Sequence, residues 1–133
     1  QEVFRDGWYY PGDLGWIDED GYLFLAGRET DMIIRGGVNV YPAEIEHILS
    51  LHPGVHETAV LGRPSHDFGE EIAAFVVLSA SATPVSGDEL IDYCRGQLAS
   101  YKVPRDVITV NKLPKSGVGK VLKTELAKRL EPV

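Results

Sequence analysis

Residues 72–78, Ile72-Ala73-Ala74-Phe75-Val76-Val77-Leu78, form an unbroken apolar run, and no other feature restricts the fold of this chain as strongly. A strand with one wet face alternates apolar and polar residues, whereas a run without alternation needs cover on both faces. Together with Ala59-Val60-Leu61, the run predicts two central strands held between layers. Neither it nor any other apolar run approaches the roughly 20 residues that a membrane-spanning helix requires.

Cover for those strands is legible on either side. Pro42 suits a first helical turn, and Ile45, Ile48 and Leu49 follow at helical spacing until His52-Pro53-Gly54 stops the pattern. Ser86 and Glu89 have the spacing of a capping box ahead of Leu90, Ile91, Cys94 and Leu98. Val107, Ile108 and Val110 supply a third strand, and Leu122, Leu126 and Leu130 line one side of a last helix. Toward the amino end, Asp18-Glu19-Asp20-Gly21 between two short apolar stretches reads as a hairpin, as does Arg35-Gly36-Gly37 between residues 32–34 and 38–40. The expectation is an α+β domain: a central three-stranded sheet flanked by about three helices, plus short β-hairpins on the N-terminal side. A chain of 133 residues, 44% hydrophobic, can bury such a core.

Charge narrows the partners. Asp and Glu number 20 against 13 Lys and Arg, a net charge of -7, which excludes a broad basic surface for nucleic acid. An anionic ligand therefore has to be met by local cations, and Lys102, Arg105, Lys112, Lys115, Lys120, Lys123, Lys128 and Arg129 gather in the last third. The single cysteine, Cys94, rules out an internal disulfide and sits on an apolar helical stripe, as a core residue would. The opening residues show no signal-peptide pattern, and with no apolar run long enough to span a bilayer the expected location is the cytoplasm. The start Gln1-Glu2-Val3-Phe4-Arg5 lacks an initiator methionine, and a piece of a longer protein is expected. His52 and His56 are four apart, but Pro53 and Gly54 break any helix between them; no metal site is expected.

The residues with most chemistry are in Leu113-Pro114-Lys115-Ser116-Gly117-Val118-Gly119-Lys120. Two glycines allow a tight turn, and Lys120 offers an ammonium that can reach a developing anion on a carboxylate or phosphate. It is not a phosphate-loop lysine, because Pro114 and Val121 stand where that motif needs Gly and Ser or Thr. A dinucleotide fingerprint fails too, since Leu122 occupies its third glycine position. Ser116 has no adjacent base and reads as a turn residue.

Three runs taken together, Tyr9-Tyr10-Pro11-Gly12-Asp13-Leu14-Gly15, Gly27-Arg28-Glu29-Thr30-Asp31 with Gly36-Gly37-Val38-Asn39-Val40-Tyr41-Pro42-Ala43-Glu44, and the Lys120 run, closely resemble the carboxyl-terminal region of the adenylate-forming acyl-CoA synthetases, or fatty-acid-CoA ligases. The resemblance spans almost the whole chain, with the motifs in the family's order. It implies an enzyme that turns a carboxylic acid and ATP, with magnesium, into acyl-AMP and pyrophosphate, then passes the acyl group to CoA. It implies that Lys120 stabilises charge during adenylation, that Asp13 and Arg28 hold the ATP ribose, and that the Gly36-Gly37 loop lines the CoA tunnel after a domain rotation about Thr30. The family's usual hinge residue is Asp or Lys rather than Thr30, and its usual threonine is replaced by Pro11. The implied organisation is 1–27 as the tail of a large nucleotide- and acyl-binding domain, 28–31 as hinge, and 32–133 as the mobile domain. That large domain is the expected partner, and the fragment alone is expected to be inactive. Two other readings stay open: an amino-acid or aryl-acid adenylation domain that loads a carrier protein, and a non-catalytic binding module. Gly36 to Pro42 resembles the CoA-ligase form of its segment more closely.

Overall fold

A computed structural model describes residues 4–28, 31–81 and 83–133, with backbone alone at Arg5 and at residues 26–28. Two small hairpins come first, β1 (Phe4–Arg5) with β2 (Trp8–Tyr9) and β3 (Asp13–Ile17) with β4 (Leu23–Arg28). The second turns where the sequence indicates: the Asp18 carboxylate accepts the N–H groups of Asp20 and Tyr22, each at 2.9 Å, and Gly21 takes a φ of 86°. Trp16 stacks on Phe24 across this hairpin, with ring centroids 4.2 Å apart.

The larger unit is a five-stranded sheet. Its centre is the long antiparallel pair β7 (Val55–Ser65) and β8 (Gly69–Leu78), which carries both apolar runs. Strand β9 (Asp106–Thr109) joins β8 in parallel over Ala73 to Val76, and Val110 extends the ladder by donating its N–H to the Val76 carbonyl at 2.9 Å. These are the three strands expected from the sequence. The other two, β5 (Ile33–Arg35) and β6 (Val38–Val40), are the glycine hairpin, which attaches to β8 through the single register pair Arg35 with Gly69. Because β7 covers one edge of β8 along its length, β5 and β9 share the opposite edge.

Alternation along β8 sorts its side chains between two layers. Ile72, Ala74 and Val76 face a cluster with Ile45 and Leu49 of α1 (Pro42–Ser50) and Leu90 and Cys94 of α2 (Gly87–Arg95). Ala73 and Phe75 face Leu113, Leu126 and Leu130 on the other side, where α3 (Lys123–Ala127) lies. This two-sided cover is why residues 72–76 are all buried. Ser86 caps α2 by accepting the Glu89 N–H at 3.1 Å. The last helix is shorter than the Leu122, Leu126, Leu130 spacing suggests, and Leu130 packs from the turn beyond its end. No described helix is long and apolar enough to cross a membrane.

Candidate functional site

Lys120 stands on a small hairpin extruded from the core. Leu113 is buried, and the chain then doubles back: Lys115 bridges Val121, and the Leu122 N–H reaches the Pro114 carbonyl at 2.8 Å. At the tip, the Gly119 N–H donates to the Ser116 carbonyl at 2.9 Å, and Gly119 adopts a φ of 85°, a conformation that favours glycine. Val118 is 93% exposed, so nothing in the described chain covers the tip. An ion pair between Lys115 and Glu57 ties the hairpin to the start of β7. Lys120 is exposed and its ammonium makes no ion pair among the described residues, which leaves it available to an outside anion.

The Gly36-Gly37 turn lies elsewhere. Its φ values of 56° and 81° are both positive, the signature of the mirror-image two-residue turn that suits a twisted hairpin. Gly36 packs inward: its N–H donates to the Phe68 carbonyl at 2.8 Å, and a Cβ there would meet Phe68 Cδ1 at 3.3 Å. Gly37 faces outward, with nothing within 4 Å of a Cβ position. Phe68 belongs to the β7–β8 turn, whereas Glu57 is near the opposite end of β7. The eight residue steps of strand from Glu57 to Ser65 put the two anchors on the order of 25 Å apart. One rigid ladder thus presents Lys120 and the glycine turn at separate ends.

Asp13 and Arg28 are brought together, being register partners at the open end of the β3–β4 hairpin. The Arg28 side chain and all of Thr30 lie outside the described residues. Pro11 is exposed just before Gly12, whose φ is 80°. Asp31 does share a surroundings with Lys120: both line a recess of about 480 Å³ with Glu46 and Lys123.

The cation cluster of the last third divides in two. Lys102, Lys115, Lys123 and Lys128 are ion-paired to Glu44, Glu57, Glu46 and Glu125. Donation of a hydrogen bond from the Lys102 ammonium to the Glu44 carboxylate raises the Lys102 pKa, so that cation serves the contact between α1 and the turn after α2. Arg105, Lys112, Lys120 and Arg129 make no ion pair among the described residues. Burial lifts the Cys94 thiol to about 11, which keeps it protonated in the core. His52 accepts the Gly54 N–H at 2.9 Å and thereby shapes the turn after α1.

Sequence reasoning missed a cleft of about 850 Å³ bordered by Arg35, Glu71, Asp92, Arg95 and Arg105. Three separate segments build it, so no local motif announces it. Arg35 next to Gly36-Gly37 and Arg105 next to Pro104 were its visible traces. Its Arg35 wall leads directly to the glycine turn.

An α+β domain, its sheet covered by helices on both faces, that offers a lysine hairpin at one end and a glycine turn at the other corresponds to a class, the small carboxyl-terminal domains of adenylate-forming enzymes. The chain belongs to the AMP-binding enzyme C-terminal domain family, whose profile matches residues 44–120. It is 46% identical over 128 residues to a feruloyl-CoA synthase of an Amycolatopsis species, covering 96% of this chain and 26% of that protein. It is 47% identical over 126 residues to the long-chain-fatty-acid--CoA ligase FadD13 of Mycobacterium tuberculosis, covering 95% of this chain and 25% of that one. The crystal structure of ATP-bound MatB from Rhodopseudomonas palustris superposes with a TM-score of 0.86 at 45% identity, over 96% of this chain and 25% of that chain. The chain therefore spans about a quarter of the length of the relatives it matches.

Proposed function

We propose that this chain is the mobile carboxyl-terminal domain of an ATP-dependent acyl-CoA synthetase. The observation that carries the reading is the separation just described: an unpaired lysine and an open glycine turn, held at opposite ends of one rigid sheet. In the first half reaction a carboxylate oxygen attacks the α-phosphorus of magnesium-bound ATP and the bond to pyrophosphate breaks. Charge builds on the carboxylate and phosphate oxygens, and the Lys120 ammonium stabilises it. The domain then rotates. The CoA sulfur, having released its proton, attacks the acyl carbon and the bond to AMP breaks, with the Gly37 turn lining the path of the thiol.

In this reading residues 1–27 complete the large nucleotide- and acyl-binding domain, 28–31 hold the hinge with Thr30, and 32–133 swing. Support comes from the apolar surface of the first hairpins, where Trp8 and Leu25 are each 70% exposed and Phe4, Trp16 and Tyr22 are exposed as well. Apolar area of that kind suits an absent neighbour. Asp13 and Arg28, paired in register, take the ribose hydroxyls of ATP, a carboxylate accepting and a guanidinium donating. The setting is the cytoplasm, where ATP and CoA are at hand and a lone thiol stays reduced. Relatives named for feruloyl and long-chain fatty acyl substrates leave the acid to the large domain. Pyrophosphate exchange by the intact protein across a panel of carboxylic acids tests the proposal. Exchange with one class of acid, and AMP release on adding CoA, is expected; no exchange with any acid would overturn it.

A further inference from the structure

The glycine hairpin is held by side chains more than by its ladder. Strands β5 and β6 have three residues each and meet β8 at one register pair, too little to fix the turn's position unaided. Ile33 and Val40 anchor it in the core, and four contacts from residues 68–71, where the β7–β8 turn runs into β8, orient its tip. Glu70 Oε2 accepts the Ile34 N–H at 2.7 Å, and the Phe68 carbonyl accepts the Gly36 N–H at 2.8 Å. The Arg35 guanidinium forks onto Glu71, Nε to Oε2 at 2.9 Å and Nη2 to Oε1 at 3.3 Å. Its Cζ also lies 4.3 Å from the centroid of the Phe68 ring.

Glu71 is the part that asks for an explanation. At 3% exposure it is the one buried charged residue among those described. A buried carboxylate is costly unless paired, and an apolar pair of similar volume would commonly serve stability as well or better. What an apolar pair cannot supply is a planar fork that fixes the orientation of the residue beside Gly36. Resting on the acyl-CoA synthetase reading above, we infer that Arg35 and Glu71, with the Phe68 ring as platform, are positioning residues for thioester formation: they aim the Gly36-Gly37 turn at the thiol's path. They take no part in adenylation, since Lys120 stands at the other end of the sheet.

The test uses the intact enzyme and both half reactions. Arg35→Lys keeps the charge but loses the fork and the planar stack; Glu71→Gln keeps the shape but loses the charge. Each should slow thioester formation from supplied acyl-adenylate by about 10-fold or more, as small misplacements of a reacting group do. Pyrophosphate exchange should stay within about twofold of the parent enzyme. The double variant Arg35→Met with Glu71→Leu guards against misfolding, because a buried ion pair replaced as a unit leaves no orphan charge. It should melt no lower than the parent and still be slow only in thioester formation. Thioester formation at the parental rate in the well-folded double variant would overturn the inference, and so would equal loss of both half reactions. Absence of exchange in the unmodified enzyme would remove the synthetase reading itself, a result separable from either.

Discussion

Ser116 and Lys120 hold each other through two hydrogen bonds that leave the lysine side chain outside. The Ser116 N–H donates to the Lys120 carbonyl at 2.8 Å, and the Lys120 N–H donates to the Ser116 hydroxyl at 3.3 Å. A flexible side chain is thus mounted on a fixed turn, and substitutions in the turn should move the ammonium without touching the core.

Gly119 tests that separation. Its φ of 85° strains any side chain, yet nothing lies within 4 Å of a Cβ position. Gly119→Val should therefore cost about 1–2 kcal/mol from backbone strain alone. In the intact enzyme, adenylation should fall by more than the melting shift explains, while thioester formation holds. Calorimetry with pyrophosphate exchange checks both.

Gly62 governs the far end of the sheet. A Cβ there would stand 2.6 Å from Glu70 Oε1, and Glu70 is the acceptor for the Ile34 N–H. Gly62→Ala should push that carboxylate aside and destabilise the domain by about 1–2 kcal/mol, the cost of a lost hydrogen bond to a charged acceptor. Urea unfolding measures the loss. Hydrogen exchange should show faster exchange at Ile34 and Gly36 than at the β7–β8 ladder.

Cys94 gives a pH prediction. Burial raises its thiol from 9.0 to about 11, so the folded state holds the proton more tightly than the unfolded chain does. Its contribution to stability is complete below pH 9 and is lost as pH rises through 11. At pH 8 the thiolate should be about 100-fold scarcer in the fold than in the unfolded chain. Alkylation should be correspondingly slow until urea is added; rapid labelling of the native protein would contradict the core assignment.

Residues 4–28 should exchange their amides fastest in the isolated fragment, because neither small hairpin pairs with the five-stranded sheet. Protection there comparable to that of β8 would count against a missing neighbour.

The sheet centre was legible because a buried strand writes its burial directly into sequence, as residues 72–78 do. The α2 cap and the β3–β4 turn were legible for a similar reason: Ser86 and Gly21 act on neighbours within three residues. The attachment of β5 to β8 was not, since it depends on Arg35 meeting residues 68–71 across an interval of more than thirty positions. The length of α3 was overread, because Leu130 reaches the same cluster from a turn that keeps nearly helical spacing. Of the candidate site, Lys120 and Gly36-Gly37 were marked by glycines and their neighbours, while the arginine-lined cleft has no local signature and needed the fold.

The central claim is that one domain presents Lys120 for the first half reaction and the Gly37 turn for the second. Both half reactions measured in Lys120→Ala and in Gly37→Leu test it, with Gly37→Asn as control, since Asn tolerates a positive φ with a smaller side chain. Lys120→Ala should lower adenylation by about 10²-fold or more and leave thioester formation from supplied acyl-adenylate intact. Gly37→Leu should do the reverse, with Gly37→Asn milder in the same direction. Equal loss of the two half reactions in a folded Lys120→Ala enzyme would contradict the account.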